Sequence, residues 1–217
     1  MTRLFFIRHG KTIWNLEGRY QGAKGDSELL PESHTEIKML ANYLKNEKFE
    51  KIYCSPIKRA FVTASELARA LPQELAVEKN IGLSEFNLGE MEGMLFTDVA
   101  KKFPRELDAF RNHPDVYNAK NISGESFQEL FSRMTPIIQR ICKEHPNGNV
   151  IIVSHGAALC AEIRHLLGYS LEDLRKAGGL SNTSTTILKT NDAVNFDCLE
   201  WNKTDYLNRK LDQSDTV

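Results

Sequence analysis

The sequence predicts an α/β fold, a three-layer α/β/α sandwich with a mostly parallel central sheet and a lid-like insertion. Three observations carry this expectation. Strand-like apolar runs alternate with helical periods along the chain. The stretch "LFFIRHG" at 4–10 has a counterpart in "VIIVSHG" at 150–156, each an apolar strand ending in His-Gly and leading toward a helix. No repeat, low-complexity tract or linker divides the 217 residues. A single domain over 1–217 is therefore expected, with an insertion over about 80–124 forming the lid.

Leu4–Ile7 reads as the first strand. Ile37, Leu40, Ala41 and Leu44 follow helical spacing, and Lys51–Cys54 reads as the next strand. Ser55-Pro56 has the form of a helix cap with proline at the first helical position. Behind it, Ile57, Ala60, Phe61, Ala64, Leu67, Ala68 and Leu71 form one apolar stripe. Residues 80–124 are irregular in pattern, with a short helical piece near Phe96–Phe103; so long a loosely patterned stretch points to function. Ser126 and Glu129 have capping-box spacing, ahead of a buried face of Phe127, Leu130, Phe131, Met134, Ile137, Ile138 and Ile141. Pro136 inside that pattern predicts a kink. Val150–Val153 is a fully apolar strand, and a helix from about 157 to 167 stops at Gly168. Thr185–Leu188 and Phe196–Trp201 are expected to close the sheet.

Composition narrows the function. Hydrophobic residues make up 41% and charged residues 26%, as in ordinary globular proteins. A formal net charge of −1 gives no general attraction to nucleic acid or to an anionic membrane, so neither is an expected partner. No apolar run is long enough to span a bilayer. The first residues carry neither a basic region nor a cleavage-site pattern, so no signal peptide is expected. Cys54, Cys142, Cys160 and Cys198 lie far apart and read as small buried hydrophobes of a reducing compartment. A cytoplasmic enzyme or binding domain remains, and a homodimer is one assembly the sequence allows.

Gly10-Lys11-Thr12 could be the tail of a phosphate-binding P-loop, but that pattern needs a glycine five places before Gly10. Phe5 stands there, so no cradle of backbone N–H groups can form. Arg8-His9-Gly10 offers another way to hold a phosphoryl group. A neutral imidazole nitrogen attacks phosphorus in line, fixed donors meet the charge on the equatorial oxygens, and an acid protonates the leaving alkoxide. Arginine suits the second task because its planar fork binds two oxygens and stays charged. Candidates exist for each role: His9 as nucleophile, Arg8 and Arg59 as clamps, His155 as a second imidazole donor, and a carboxylate of the insertion as acid. In open α/β sheets ligands sit beyond the carboxyl ends of the strands, so His9 and His155 face one crevice if their strands are parallel neighbours.

At these residues the chain resembles the histidine phosphatase superfamily, the phosphoglycerate mutase-like proteins. The matching stretches are "RHGKTIWN" at 8–15, "QG" at 21–22, "SPIKRAFVTA" at 55–64, "LSEFNLGEMEG" at 83–93, "GES" at 124–126 and "VSHG" at 153–156, in the family's order. The resemblance implies that His9 becomes phosphohistidine and that Arg8, Arg59 and His155 complete the phosphate pocket. It implies Glu85 as proton donor, with Glu90 and Glu92 as alternatives in the same loop, and Asn15, Gln21 and Gly22 on the substrate side. It implies no metal and no cofactor, and a small-molecule phosphate ester as partner. Ser126 and Gly124 read as cap and turn, and His34, His113, His145 and His165 as non-catalytic.

Two departures bear on the reaction. "DSELLPES" at 26–33 stands where the family often has Asp-Ser-Pro-Leu-Thr, leaving the start of the following helix open. Mutases follow the catalytic glutamate with Arg-His-Tyr-Gly and carry Asn after the second His-Gly, whereas this chain has Phe86-Asn87-Leu88-Gly89 and Ala157. Fewer cationic and polar contacts favour hydrolysis of phosphomonoesters over a mutase reaction or a non-catalytic phospho-ligand-binding role. The sparse charge around Phe86, Leu88, Met91, Met94 and Phe96 further suggests a partly apolar leaving-group pocket.

Overall fold

The computed structural model of the protein describes residues 1–176 and 178–216. The chain opens with strand β1 (Thr2–Arg8), a one-turn helix α1 (Ile13–Leu16) and helix α2 (Pro31–Leu44). Strand β2 (Lys51–Cys54), helix α3 (Lys58–Ala70) and strand β3 (Val77–Lys79) follow. The insertion carries helices α4 (Phe96–Lys102) and α5 (Pro104–Asn112) among short 3-10 turns. Helix α6 (Phe127–Glu144), strand β4 (Asn149–Ser154), helix α7 (Gly156–Leu166) and strands β5 (Thr185–Thr190) and β6 (Phe196–Lys203) complete the fold.

The six strands lie in the order β3-β2-β4-β1-β5-β6. Neighbours from β3 to β1 pair in parallel, and β5 runs antiparallel to both β1 and β6. The side-chain period of two sorts each central strand between the layers. Phe5 and Ile7 join Ile52, Ile151 and Val153 against α2 and α3, while Leu4 and Phe6 join Val150 and Ile152 against α6 and α7. The three-layer, mostly parallel architecture expected from the sequence is the one observed.

Local chemistry explains most boundaries. Pro31 stands at the start of α2, where its missing N–H costs nothing, which resolves the helix start left open by "DSELLPES". Ser126 and Glu129 form the expected capping box at α6, and α6 continues unbroken through Pro136. Gly168, at φ +81°, follows α7 as its stop. Among the described residues, no helix is long and apolar enough to cross a membrane.

Three expectations need correction. Helix α3 starts at Lys58 rather than at Pro56, and Ser55 does not cap it: its hydroxyl accepts Ile57 N at 3.3 Å, ahead of the helix, and lies 2.8 Å from His155 Nε2. The helical piece expected near Phe96–Phe103 is α4, but the rest of the 80–124 stretch also holds α5 and 3-10 turns, in pieces too short to show a period, and the edge strand β3 just before it has too few residues to alternate. Cys198 is exposed on β6, unlike the three buried cysteines.

The insertion is anchored by aromatic packing. Phe86, Phe110, Tyr117 and Phe127 form a cluster with ring centroids 5.1–5.7 Å apart, in mostly edge-to-face contacts. Phe127 of α6 touches each of the other three. Phe127→Ala should therefore cost about 3–5 kcal/mol of stability, and hydrogen exchange over 96–122 should quicken more than that of β1 and β4. Equal quickening everywhere would show that the insertion is not held through this ring.

Candidate active site

Parallel pairing sets the site. Arg8 is in register with Ser154, so the next residues along the two strands, His9 and His155, emerge side by side. Their ring centroids are 5.2 Å apart and both residues are buried. His155 also caps α7, whose first turn begins at this strand end.

The hydrogen bonds of His9 fix its tautomer. Nδ1 lies 2.7 Å from the Gly10 carbonyl, which can only accept, so Nδ1 carries the proton. Nε2 is then an acceptor and receives Nε–H of Arg59 at 3.2 Å. Burial, then the positive charges of Arg59 and Arg8, hold the imidazole well below its ordinary pKa. A neutral ring with its lone pair on Nε2 is the form a nucleophile needs.

The two arginines are held from behind. Arg59 donates to the carbonyls of Gly25 and Gly22 at 2.8 Å each and to Asp26 Oδ1 at 3.0 Å. Arg8 gives Nη1 to the carbonyls of Leu180 and Asp215, at 2.6 and 2.7 Å, and keeps a buried Nε without a partner among the described residues. Burial lowers Arg8 to about 10, against the upward pull of Glu85 and Asp215. Arg8 therefore remains charged at neutral pH, and both guanidiniums are fixed donors that need no rearrangement to meet an anion. Gly156 makes room for one of them: a Cβ there would lie 2.9 Å from Arg8 Nε.

Glu85 reaches the same hollow from the insertion. Its Oε1 accepts from Phe86 N at 2.9 Å and Ala158 N at 2.7 Å, and its Oε2 from Ala157 N at 3.1 Å. Two of these donors are free amides in the first turn of α7, where the helix dipole favours an anion. Arg8, His9, Arg59 and Glu85 line one cavity together with Asn15, Gln21 and Gly22. His155 gives no surface to that cavity and stands beside His9, with Nε2 2.8 Å from Ser55 Oγ and a buried Nδ1 without a partner among the described residues.

The sequence missed several residues here. Thr12 caps α1 and binds both Asn15 and Gln21 Nε2, joining two wall residues. Glu92 accepts the N–H groups of Ala23, Lys24 and Gly25 at 2.8–3.1 Å, and so shapes the loop whose carbonyls grip Arg59. That work occupies Glu92, while Glu90 is exposed beside Lys102 and lines no part of the cavity. Phe110 and Arg19 also line the cavity. The expected apolar side holds only in part: Leu88 and Phe96 line the wall, whereas Phe86 and Met91 are buried in the core and Met94 packs against it. Lys11 pairs with Asp212 and Asp215, away from any phosphate cradle. Among the described residues, no group of three or more His, Cys, Asp or Glu is placed to hold a metal.

Imidazole ¹⁵N shifts offer a direct check on the tautomer and charge. In the free protein at pH 6, His9 should be neutral with its proton on Nδ1 and should begin to protonate only well below 6.5. A titration centred at 6.5, or a proton on Nε2, would contradict this geometry.

Comparison with known proteins gives the family and the fold. Residues 4–204 match the model of the histidine phosphatase superfamily, branch 1. Phosphoserine phosphatase 1 of Hydrogenobacter thermophilus is 32% identical, over 87% of this chain and 86% of its own. Phosphoglycerate mutase-like protein 4 of Arabidopsis thaliana is 31% identical, over 93% of this chain and 85% of its own. The solved structure of Bacillus stearothermophilus YhfR superposes with a TM-score of 0.88 at 27% identity, covering 96% of this chain and all of that one. With two strand-end histidines side by side, two buried arginines around one of them and a family model matching nearly its whole length, this chain belongs to the histidine phosphatase superfamily.

Proposed function

We propose that the protein hydrolyses phosphomonoesters of small metabolites through a phosphohistidine on His9. The observation that carries this reading is the unprotonated Nε2 of His9, which meets Arg59 in a cavity that Arg8 also lines. The lone pair of Nε2 attacks phosphorus as the ester P–O bond breaks. Arg8 and Arg59 meet the charge on the equatorial oxygens, and His155, buried beside His9, backs the nucleophile's ring. Asn15, Gln21 and Gly22 face the rest of the substrate.

Glu85 supplies the proton. Its Oε2 accepts a single N–H, which leaves a lone pair where a proton can reside and pass to the departing alkoxide. In the second half, water attacks the phosphohistidine and yields its proton to the same carboxylate. Phosphate leaves, and His9 returns to its starting tautomer. No step in this sequence requires a metal or cofactor.

Two features favour hydrolysis over phosphate migration within one molecule. Leu88 and Ala157, on the cavity wall, are apolar where a mutase would grip a small and highly charged acid. The name of the Hydrogenobacter relative points to phosphatase activity, whereas that of the Arabidopsis relative keeps the mutase reading in view. Leu88, Phe96 and Phe110 give the leaving-group side a partly apolar wall.

A chelator-treated preparation should release phosphate from a panel of phosphorylated metabolites, and His9→Ala should lower that turnover at least about 10³-fold. Interconversion of 3- and 2-phosphoglycerate faster than phosphate release would establish the mutase instead. Unchanged turnover in His9→Ala would remove the nucleophile assigned here.

A further inference from the structure

Glu85 lies on neither a helix nor a strand, between 3-10 turns at Ile81–Leu83 and Gly89–Met91. Its carboxylate is fixed by α7, but its backbone must be held by something else. That hold comes from α6. Arg133 donates Nη1 to the Gly82 carbonyl at 2.6 Å and Nη2 to the Glu85 carbonyl at 3.1 Å. The same guanidinium makes a two-point ion pair with Glu125, Nε to Oε1 at 2.6 Å and Nη2 to Oε2 at 2.9 Å. Glu125 in turn accepts Asn87 N at 3.2 Å, and its own N–H donates to the Asn87 carbonyl at 2.7 Å.

One ion pair thus grips the segment twice up to the acid and on both backbone groups two residues after it. Two glycines allow the close approach. A Cβ on Gly82 would lie 2.0 Å from Ile137 Cδ1, and one on Gly124 would lie 2.9 Å from the Asn87 carbonyl oxygen. Both residues of the pair line a second hollow that also touches Glu85, so they are not part of a packed apolar core.

We propose that Arg133 and Glu125 are positioning residues for the acid–base step, setting the reach of Glu85 toward the leaving oxygen without touching substrate. This rests on the reading of Glu85 as proton donor. Arginine is required at 133 because the two carbonyls and the carboxylate lie around one planar fork; a lysine ammonium keeps the charge and loses the geometry. A small displacement of a catalytic group is enough to cost a large factor in rate.

The test compares kcat/KM for an alkyl phosphate such as phosphoserine, whose alkoxide must be protonated, with that for p-nitrophenyl phosphate, whose leaving group departs as the anion. In Arg133→Met and Glu125→Gln the alkyl ester should lose about 30-fold or more and the aryl ester less than about threefold. Arg133→Lys should resemble Arg133→Met, and adding Arg133→Met to Glu85→Gln should cost little further. Equal losses on both esters, no loss on either, or full additivity with Glu85→Gln would overturn the proposal. Glu125→Gln, nearly isosteric, serves if Arg133→Met fails to fold. The reading of Glu85 fails separately: Glu85→Gln in an otherwise native chain would then lose no more on the alkyl than on the aryl ester.

Discussion

Everything at the site depends on the pairing of β1 with β4. Their backbone ladder sets Arg8 opposite Ser154, and a strand side chain cannot shift by one place without turning to the other face. The register therefore decides that both histidines leave the sheet at one end and on neighbouring strands. It also delivers α7 to the same point, because the residue that ends β4 precedes the helix cap. One pairing thus supplies an imidazole, a second imidazole and two free helix amides.

The electrostatics follow from burial at that strand end. Two guanidiniums held by carbonyls and one aspartate are a net cationic charge in a dry place, costly to bury without compensation. Part of the compensation is internal, from Glu85, Asp26 and Asp215. Burial first, and then the remaining positive field, keep the imidazole of His9 neutral, and the same field offers an incoming phosphate dianion fixed donors in place of water. The same field that suits the ligand therefore prepares the nucleophile. Glu85 joins this arrangement from a segment without regular structure, so its placement has to come from side-chain clamps at both ends.

Much of this was legible in the sequence, for physical reasons. Apolar strands read plainly because the central sheet is covered on both faces, and α6 read plainly because its capping box is local. His9, His155, Arg8 and Arg59 were visible because each follows a strand end or opens a helix. Ser55 was misread: a serine before a proline signals a cap, and only the tertiary fold shows that the helix begins later and that the hydroxyl also faces His155. Glu92 was read only as an alternative acid and Arg133 carried no signal, since their partners include backbone groups of segments far away in sequence; Thr12, bound to nearby Asn15 and Gln21, was passed over inside its motif. Backbone partners leave no residue pattern to read. Of the insertion's short helices only α4 was read, near Phe96–Phe103, and the others were missed for want of length; Phe86 and Met91 were placed on the pocket wall because apolarity alone does not separate wall from core.

The central claim is that His9 attacks phosphorus with the nitrogen left unprotonated by the Gly10 carbonyl. Rapid alkaline quench during turnover of an alkyl phosphate, followed by phosphopeptide mapping and ³¹P NMR, tests it most directly. The label should lie on His9 and on Nε2. Phosphate on Nδ1, on any other residue, or on none while turnover proceeds at its normal rate would contradict the account.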